Sequence, residues 1–296
     1  MRAPGSDLTS GSRSDTLYFP YEASEKQPAQ PASRTCIQRK SPKMISIAGI
    51  ELEMFERGQG APILYLHGGG GIGLDIPFLE LLAKERHVIA PSHPGFGKSS
   101  LPDWLDSVDD IAHVYLELMD RLSLTRADVI GFSIGGWIAA DLATKVPERI
   151  GRLALIGPVG VKTGSSDKLD IPDVFAMPRD KLDRLRFHDP AKNPVDLAKL
   201  PDDQLHIVAR NSETLALLTW EPYMHNPKLN HRLHRVNVPT LFLRGASDGI
   251  VSADYLKRYA ALVPQARIET IAEAGHLPHV ERRDETAAKI LQFLEH

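Results

Sequence analysis

Apolar and polar positions alternate along ISIAGIELEMFERG (45–58), with Ala48-Gly49 at the centre. A period of two interrupted by turn residues predicts an antiparallel hairpin at a sheet edge. The rhythm then changes. Short apolar runs at 63–67 (ILYLH), 87–91 (HVIAP), 127–132 (ADVIGF), 153–157 (LALIG), 240–244 (TLFLR) and 266–271 (ARIETI) alternate with segments of helical period. Short, continuously apolar strands between amphipathic helices predict a mostly parallel central sheet flanked by helices on both faces. The crossovers should be right-handed, and ligand chemistry should gather at the strand C-termini.

Helix signals support the α/β reading. Ser107 and Asp110 have capping-box spacing for a helix over 108–122, Ser252 can cap 253–263, and a helix over 134–146 follows the strand at 127–132. The segment 284–295 closes the chain with apolar positions at Ala288, Ile290, Leu291, Phe293 and Leu294. Between Ile156 and Pro239 the strand-helix beat stops, which predicts an inserted helical lid over 158–236. Its expected helices are Asp180–Phe187, Asp202–Leu218 and Lys228–Val236, separated by stretches carrying Pro190, Pro194, Pro201, Pro222 and Pro227. The core is then 44–157 together with 237–296.

Residues 1–43 are rich in Ser, Pro, Gln and Thr, carry seven basic and four acidic side chains and have no apolar period. They are expected to be an unfolded tail. Met44 stands directly before the hairpin, so the tail reads equally as a tag, a regulatory extension or the product of an upstream start codon.

Composition narrows the class. At 296 residues, 42% apolar and 25% charged, the chain can bury a large core without a metal or disulfide. A net charge of −3 with both signs interspersed argues against a nucleic-acid partner. The sole cysteine, Cys36, lies in the tail and supports neither a disulfide framework nor a thiol nucleophile. No run is long and apolar enough for a bilayer or a secretory signal, so a soluble, cytoplasmic protein without a membrane partner is expected.

Gly131-Phe132-Ser133-Ile134-Gly135 joins a strand to a helix, the setting of a nucleophile elbow. The sharp turn strains the serine backbone, flanking glycines let neighbouring backbone pass, and the hydroxyl is raised above the sheet. Such a hydroxyl needs an imidazole to take its proton and a carboxylate to hold the imidazole's tautomer. Asp248, in a turn just past the strand at 240–244, and His276, in a glycine-bearing loop after the strand at 266–271, follow in the expected order. His279 competes with His276 but precedes a helix, where capping or packing is its ordinary role. His67-Gly68-Gly69-Gly70-Gly71 follows the strand at 63–66, so Gly69 and Ile134 backbone N–H groups form the candidate oxyanion pair. His67 reads as an anchor for that loop.

The glycine loop, the elbow, Asp248 and His276 together resemble the α/β-hydrolase fold superfamily across 45–296. His93-Pro94-Gly95-Phe96-Gly97-Lys98-Ser99 is also similar to that family's Asp-x-x-Gly-x-Gly-x-Ser turn, with His93 in place of Asp. The resemblance implies two-step hydrolysis of a small-molecule carboxylic ester through an acyl-enzyme, a lid over the pocket and no cofactor. Serine at the elbow is unlike the aspartate of haloalkane dehalogenases and epoxide hydrolases. The His-Gly-Gly-Gly loop and lid also resemble C–C bond hydrolases of ring-cleavage products. Gly71-Ile72 and Leu277 depart from that group's Pro-Gly and Trp, which favours the ester. A hydrolase-like ligand-binding receptor and a perhydrolase are the other readings.

Trp220 and Tyr223, with Phe175 and Met224, are candidate pocket residues that a lid would bury in any case. Trp137, on the helix after the elbow, reads as core. His231 and His234 stand three apart without a third ligand, so no metal is expected. The chain is expected to act as a monomer or homodimer.

Overall fold

The computed structural model describes residues 43–165, 167–192 and 195–295. The tail expected over 1–43, with Cys36, therefore lies outside the described residues except for Lys43. The strands are β1 (Lys43–Ile47), β2 (Ile50–Arg57), β3 (Pro62–Leu66), β4 (His87–Pro91), β5 (Ala127–Phe132), β6 (Ile150–Ile156), β7 (Thr240–Gly245) and β8 (Ala266–Ile271). They form one eight-stranded sheet in the order β1-β2-β4-β3-β5-β6-β7-β8. β2 runs antiparallel to β1 and β4, and all other pairs are parallel.

The edge hairpin turns at Ala48 (φ 50°) and Gly49 (φ 80°), with Ile47 paired to Ile50. Left-handed conformations at both turn positions match the twist of a tight two-residue hairpin. In the central strands successive side chains enter opposite cores. Leu64, Leu66, Leu153, Leu155 and Phe242 join one apolar cluster, whereas Ile63, Tyr65, Ala154, Ile156, Leu241 and Leu243 join the other. That double burial is why these strands read as continuous apolar runs.

The helices are α1 (Ile76–Leu82), α2 (Val108–Arg121), α3 (Ile134–Lys145), α4 (Arg179–Arg186), α5 (Asp202–Thr219), α6 (Ala253–Ala260), α7 (Pro278–Glu281) and α8 (Arg283–Glu295). Ser107 Oγ accepts from Asp110 N at 3.2 Å while Asp110 returns the bond to Ser107 N, completing the capping box of α2. Ser252 Oγ caps α6 by accepting from Tyr255 N at 3.1 Å. α3 is buried throughout 134–144, as a helix beneath a strand-turn-helix elbow must be.

Between β6 and β7 the described residues contain α4, α5 and short 3₁₀ turns, with one isolated bridge between Gly160 and His225. The helix expected over Lys228–Val236 is instead two 3₁₀ turns, Leu229–His231 and Leu233–Arg235. Each bends back on an i+3 bond, Arg232 N to Leu229 O and Val236 N to Leu233 O. Leu229 and Leu233, both fully buried, anchor one turn each. Their spacing of four imitates a helix face, but two tight turns satisfy it equally.

Candidate active site

The elbow is built by close backbone approach. Ser133 sits between β5 and α3 with φ 54° and ψ −115°, a conformation an L residue adopts only when its surroundings impose it. A Cβ at Gly131 would lie 2.3 Å from Gly135 O, and one at Gly135 would lie 2.0 Å from Leu66 O. Both contacts are with backbone, so neither site admits a side chain without moving strand or helix. Ser133 N donates to Ile156 O at 2.9 Å, which ties the turn to the end of β6.

His276 Nε2 lies 3.1 Å from Ser133 Oγ, and His276 Nδ1 lies 3.0 Å from Asp248 Oδ2. Asp248 Oδ1 accepts from Ile250 N and Val251 N, each at 2.8 Å. An ionised carboxylate can only accept, so Nδ1 carries the imidazole proton and Nε2 is left to accept from the serine hydroxyl. Histidine and aspartate are only 5% and 6% exposed, which shields the bond between them from water. Gly157, with φ +48°, passes beneath them, where a Cβ would stand 3.1 Å from the His276 ring and 3.3 Å from Asp248 Oδ2.

The segment between β6 and β7 supports these loops through its backbone. Leu185 O and Arg186 O, carbonyls at the end of α4, accept from Gly249 N at 2.9 Å and His276 N at 2.7 Å. Helix C-terminal carbonyls lack intrahelical donors, so the Asp248 and His276 loops act as their cap. Glu281 completes the clamp. Its Oε2 accepts from Gly275 N at 2.6 Å, and its Oε1 accepts from His188 N at 2.8 Å and Asp189 N at 3.3 Å.

The glycine loop closes on itself through Gly71 N to Gly68 O, 3.0 Å. It crosses the residue before the elbow so closely that a Cβ on Gly68 would lie 2.5 Å from the Phe132 ring. Among the described residues neither Gly69 N nor Ile134 N has a backbone acceptor. His67 anchors the loop's start. Its Nε2 accepts from His93 N at 2.9 Å, its Nδ1 donates to Gly68 O at 2.7 Å, and its ring stacks on His93 with centroids 3.7 Å apart. His93 Nε2 donates to His67 O at 2.8 Å, and Tyr115 OH donates to His93 Nδ1. Burial pushes His67 down to about 4 and His93 well below the ordinary histidine range, so both rings stay neutral.

The sequence model of the alpha/beta hydrolase family matches residues 63–289. The chain belongs to the alpha/beta hydrolase family. It is 28% identical to the dihydrolipoyllysine-residue acetyltransferase component of the acetoin cleaving system of Pseudomonas putida, over 87% of this chain and 70% of that protein. It is 27% identical to the 2-hydroxymuconate semialdehyde hydrolase of Pseudomonas sp. strain CF600, over 84% of this chain and 92% of the relative. Among solved structures, a bacterial membrane phospholipase A described as a virulence factor superposes with a TM-score of 0.71 at 27% identity, covering 86% of each chain.

In this hydrolase Ser133, Asp248 and His276 meet at one sheet edge. Trp220 is 58% exposed and touches the Phe175 ring at 5.9 Å between centroids. Tyr223 OH donates to Pro172 O at 2.8 Å and accepts from Val174 N at 2.9 Å, and burial pushes its phenol up to about 12. Tyr223 and Met224 line a cavity of about 200 Å³ whose walls include neither Ser133 nor His276. His279 is fully buried. Its Nε2 lies 3.0 Å from Asp75 Oδ1, Asp75 Oδ2 accepts from Tyr65 OH at 2.9 Å, and its ring packs on Phe132. Among the described residues no group of three ligand-type side chains gathers around His231 or His234, and no helix is long and apolar enough to cross a membrane.

Sequence reasoning missed Asp75, Asn211 and Glu281. Asn211 Nδ2 donates to Gly70 O and its Oδ1 accepts from Gly97 N, both at 2.9 Å. No local motif marks any of the three, because their partners are brought to them by the fold. Glu281, five residues after His276, carries the nearest thing to a signal, a carboxylate that closes the single-turn helix α7 after the loop.

Proposed function

We propose that this hydrolase cleaves a small-molecule carboxylic ester through an acyl-enzyme on Ser133, with His276 as base and Asp248 as the acid that orients it. The continuous relay of 3.1 Å and 3.0 Å from serine to carboxylate carries the reading. Ser133 Oγ attacks the carbonyl carbon as His276 Nε2 takes its proton, and Asp248 stabilises the imidazolium. The carbonyl oxygen gathers negative charge against Gly69 N–H and Ile134 N–H. Collapse expels the alcohol, which takes the proton from Nε2. A water then repeats the sequence: its proton goes to His276 Nε2, its oxygen bonds the acyl carbon, the acyl–Oγ bond breaks to release the carboxylic acid, and Ser133 Oγ takes the proton back from Nε2. The segment 158–236 serves as a lid, and its backbone bonds to the Asp248 and His276 loops support that role. No step requires a cofactor.

Short p-nitrophenyl esters test the reading. Multiple turnovers are expected, with Ser133→Ala lowering kcat about 10⁴-fold or more. Turnover in Ser133→Ala within tenfold of wild type would overturn it, and binding without multiple turnover would favour a receptor. The relation to 2-hydroxymuconate semialdehyde hydrolase favours a second reading, in which the same relay cleaves a C–C bond beside a carbonyl. A kcat/KM for ring-cleavage dienoates exceeding that for every ester tried would select it.

A further inference from the structure

A loop of consecutive glycines at 68–71 has no side chains with which to order itself, yet donors to an oxyanion must be in place before charge develops. Its order therefore comes from outside. One face of α5 supplies it. Asn211, only 3% exposed, spends both ends of its amide on backbone, holding Gly70 O and Gly97 N at 2.9 Å each. One turn further on, Leu215 packs on Gly69 so closely that a Cβ there would lie 2.6 Å from its Cδ2. Gly71, at φ +79°, meets the Asn211 amide in the same way, at 2.5 Å. Thr214, between them on the helix, bonds Gly95 O at 2.9 Å and touches no polar atom of the 68–71 loop.

We propose that Asn211 is a positioning residue for the oxyanion loop, so that the loop is held for catalysis only while α5 of the inserted segment is docked. With Gly71 N bonded to Gly68 O, fixing the Gly70 carbonyl leaves the Gly68-Gly69 peptide little freedom, and that peptide carries the Gly69 N–H. Loss of the Asn211 bond frees the donor without removing it. The inference rests on the reading of Ser133 and Gly69 given above.

The test compares Asn211→Ala, Asn211→Asp and Thr214→Val on p-nitrophenyl acetate, with thermal unfolding as the check on folding. Losing a whole oxyanion donor lowers kcat about 10²–10³-fold, so a loosened one is expected to lower it about 10–100-fold, with KM changing less than about threefold. Thr214→Val should stay within about threefold of wild type. Asn211→Asp is nearly isosteric and keeps the acceptor for Gly97 N but sets an anionic oxygen against Gly70 O. Its kcat relative to wild type should recover as pH falls toward about 5, because a protonated carboxyl can donate. Asn211→Ala should show no such recovery. Asn211 variants within threefold of wild type, or Thr214→Val falling equally, would overturn the proposal. Activity that survives Ser133→Ala would overturn the underlying reading as well, so the two failures are distinct.

Discussion

Asp248→Asn is the sharpest test of the relay, because the structure dictates which way the new amide must face. Asp248 Oδ1 receives two N–H donors, from Ile250 and Val251, at 2.8 Å. Were the amide nitrogen to take that place, it would set donor against donor twice, at a cost of about 1–3 kcal/mol for each N–H left without a partner. The amide oxygen therefore stays there, and the NH₂ group turns to His276 Nδ1, 3.0 Å away. A donor facing Nδ1 forces that nitrogen to accept and moves the ring proton to Nε2. The imidazole then meets Ser133 Oγ with a hydrogen already in place, 3.1 Å from the atom it should deprotonate. A tautomer error of this kind lowers kcat about 10⁴-fold, or about 5.5 kcal/mol in the barrier, with little change in KM. Steady-state hydrolysis of p-nitrophenyl acetate at neutral pH reads the effect, and urea unfolding checks that the variant is folded. A folded Asp248→Asn protein with kcat within tenfold of wild type would refute the assignment of Asp248 and the tautomer argument together.

Glu281→Ala deprives Gly275 N, His188 N and Asp189 N of this acceptor. It should lower stability by about 2 kcal/mol and reduce kcat as the His276 loop loosens; a denaturation midpoint and kcat equal to wild type would show that the clamp is idle. Gly131→Ala should destabilise by about 3 kcal/mol or more, since its methyl meets Gly135 O at 2.3 Å, whereas Gly49→Ala, with nothing within 4 Å, should cost only about 1 kcal/mol for its left-handed backbone. Equal urea midpoints for those two variants would contradict the packing of the elbow. Buried His67 is held down to about 4 against an ordinary 6.5, so the unfolded chain takes up a proton over that interval that the folded chain refuses. Its stabilisation is complete above pH 6.5 and is lost as pH falls toward 4, up to about 3 kcal/mol for this one residue. Urea midpoints that do not change between pH 7 and 4.5, or a decline that persists unaltered in a folded His67→Asn variant, would refute this.

What the sequence disclosed depends on how local each cause is. The elbow reads directly from a pentapeptide because strand, strained turn and helix are contiguous. The parallel sheet reads from continuous apolar runs because strands such as β6 feed two cores at once, Leu155 to one and Ile156 to the other. The stretch at 228–236 misled because two leucines four apart suit either one helix or two tight turns, and the choice is made by packing. Asn211 was invisible. Its partners Gly70 and Gly97 lie 141 and 114 residues away, and nothing in an amide on a helix announces which carbonyl it will meet. Trp220, at the end of α5, is 58% exposed, a degree of exposure that its aromatic side chain does not announce.

The bonds from the end of α4 to the Asp248 and His276 loops use main-chain atoms on both sides. They therefore name no side chain, and any sequence that ends a helix at that point can serve them. The asparagine on α5 differs, because its grip on Gly70 is written in a side chain. A chimaera carrying a foreign insert should thus keep its charge relay whenever the first helix terminates in register. It should recover full rates only when an amide is also grafted opposite the glycines. The segment is interchangeable at one end and individual at the other, and the recombination of substrate preferences within this family has to respect that asymmetry.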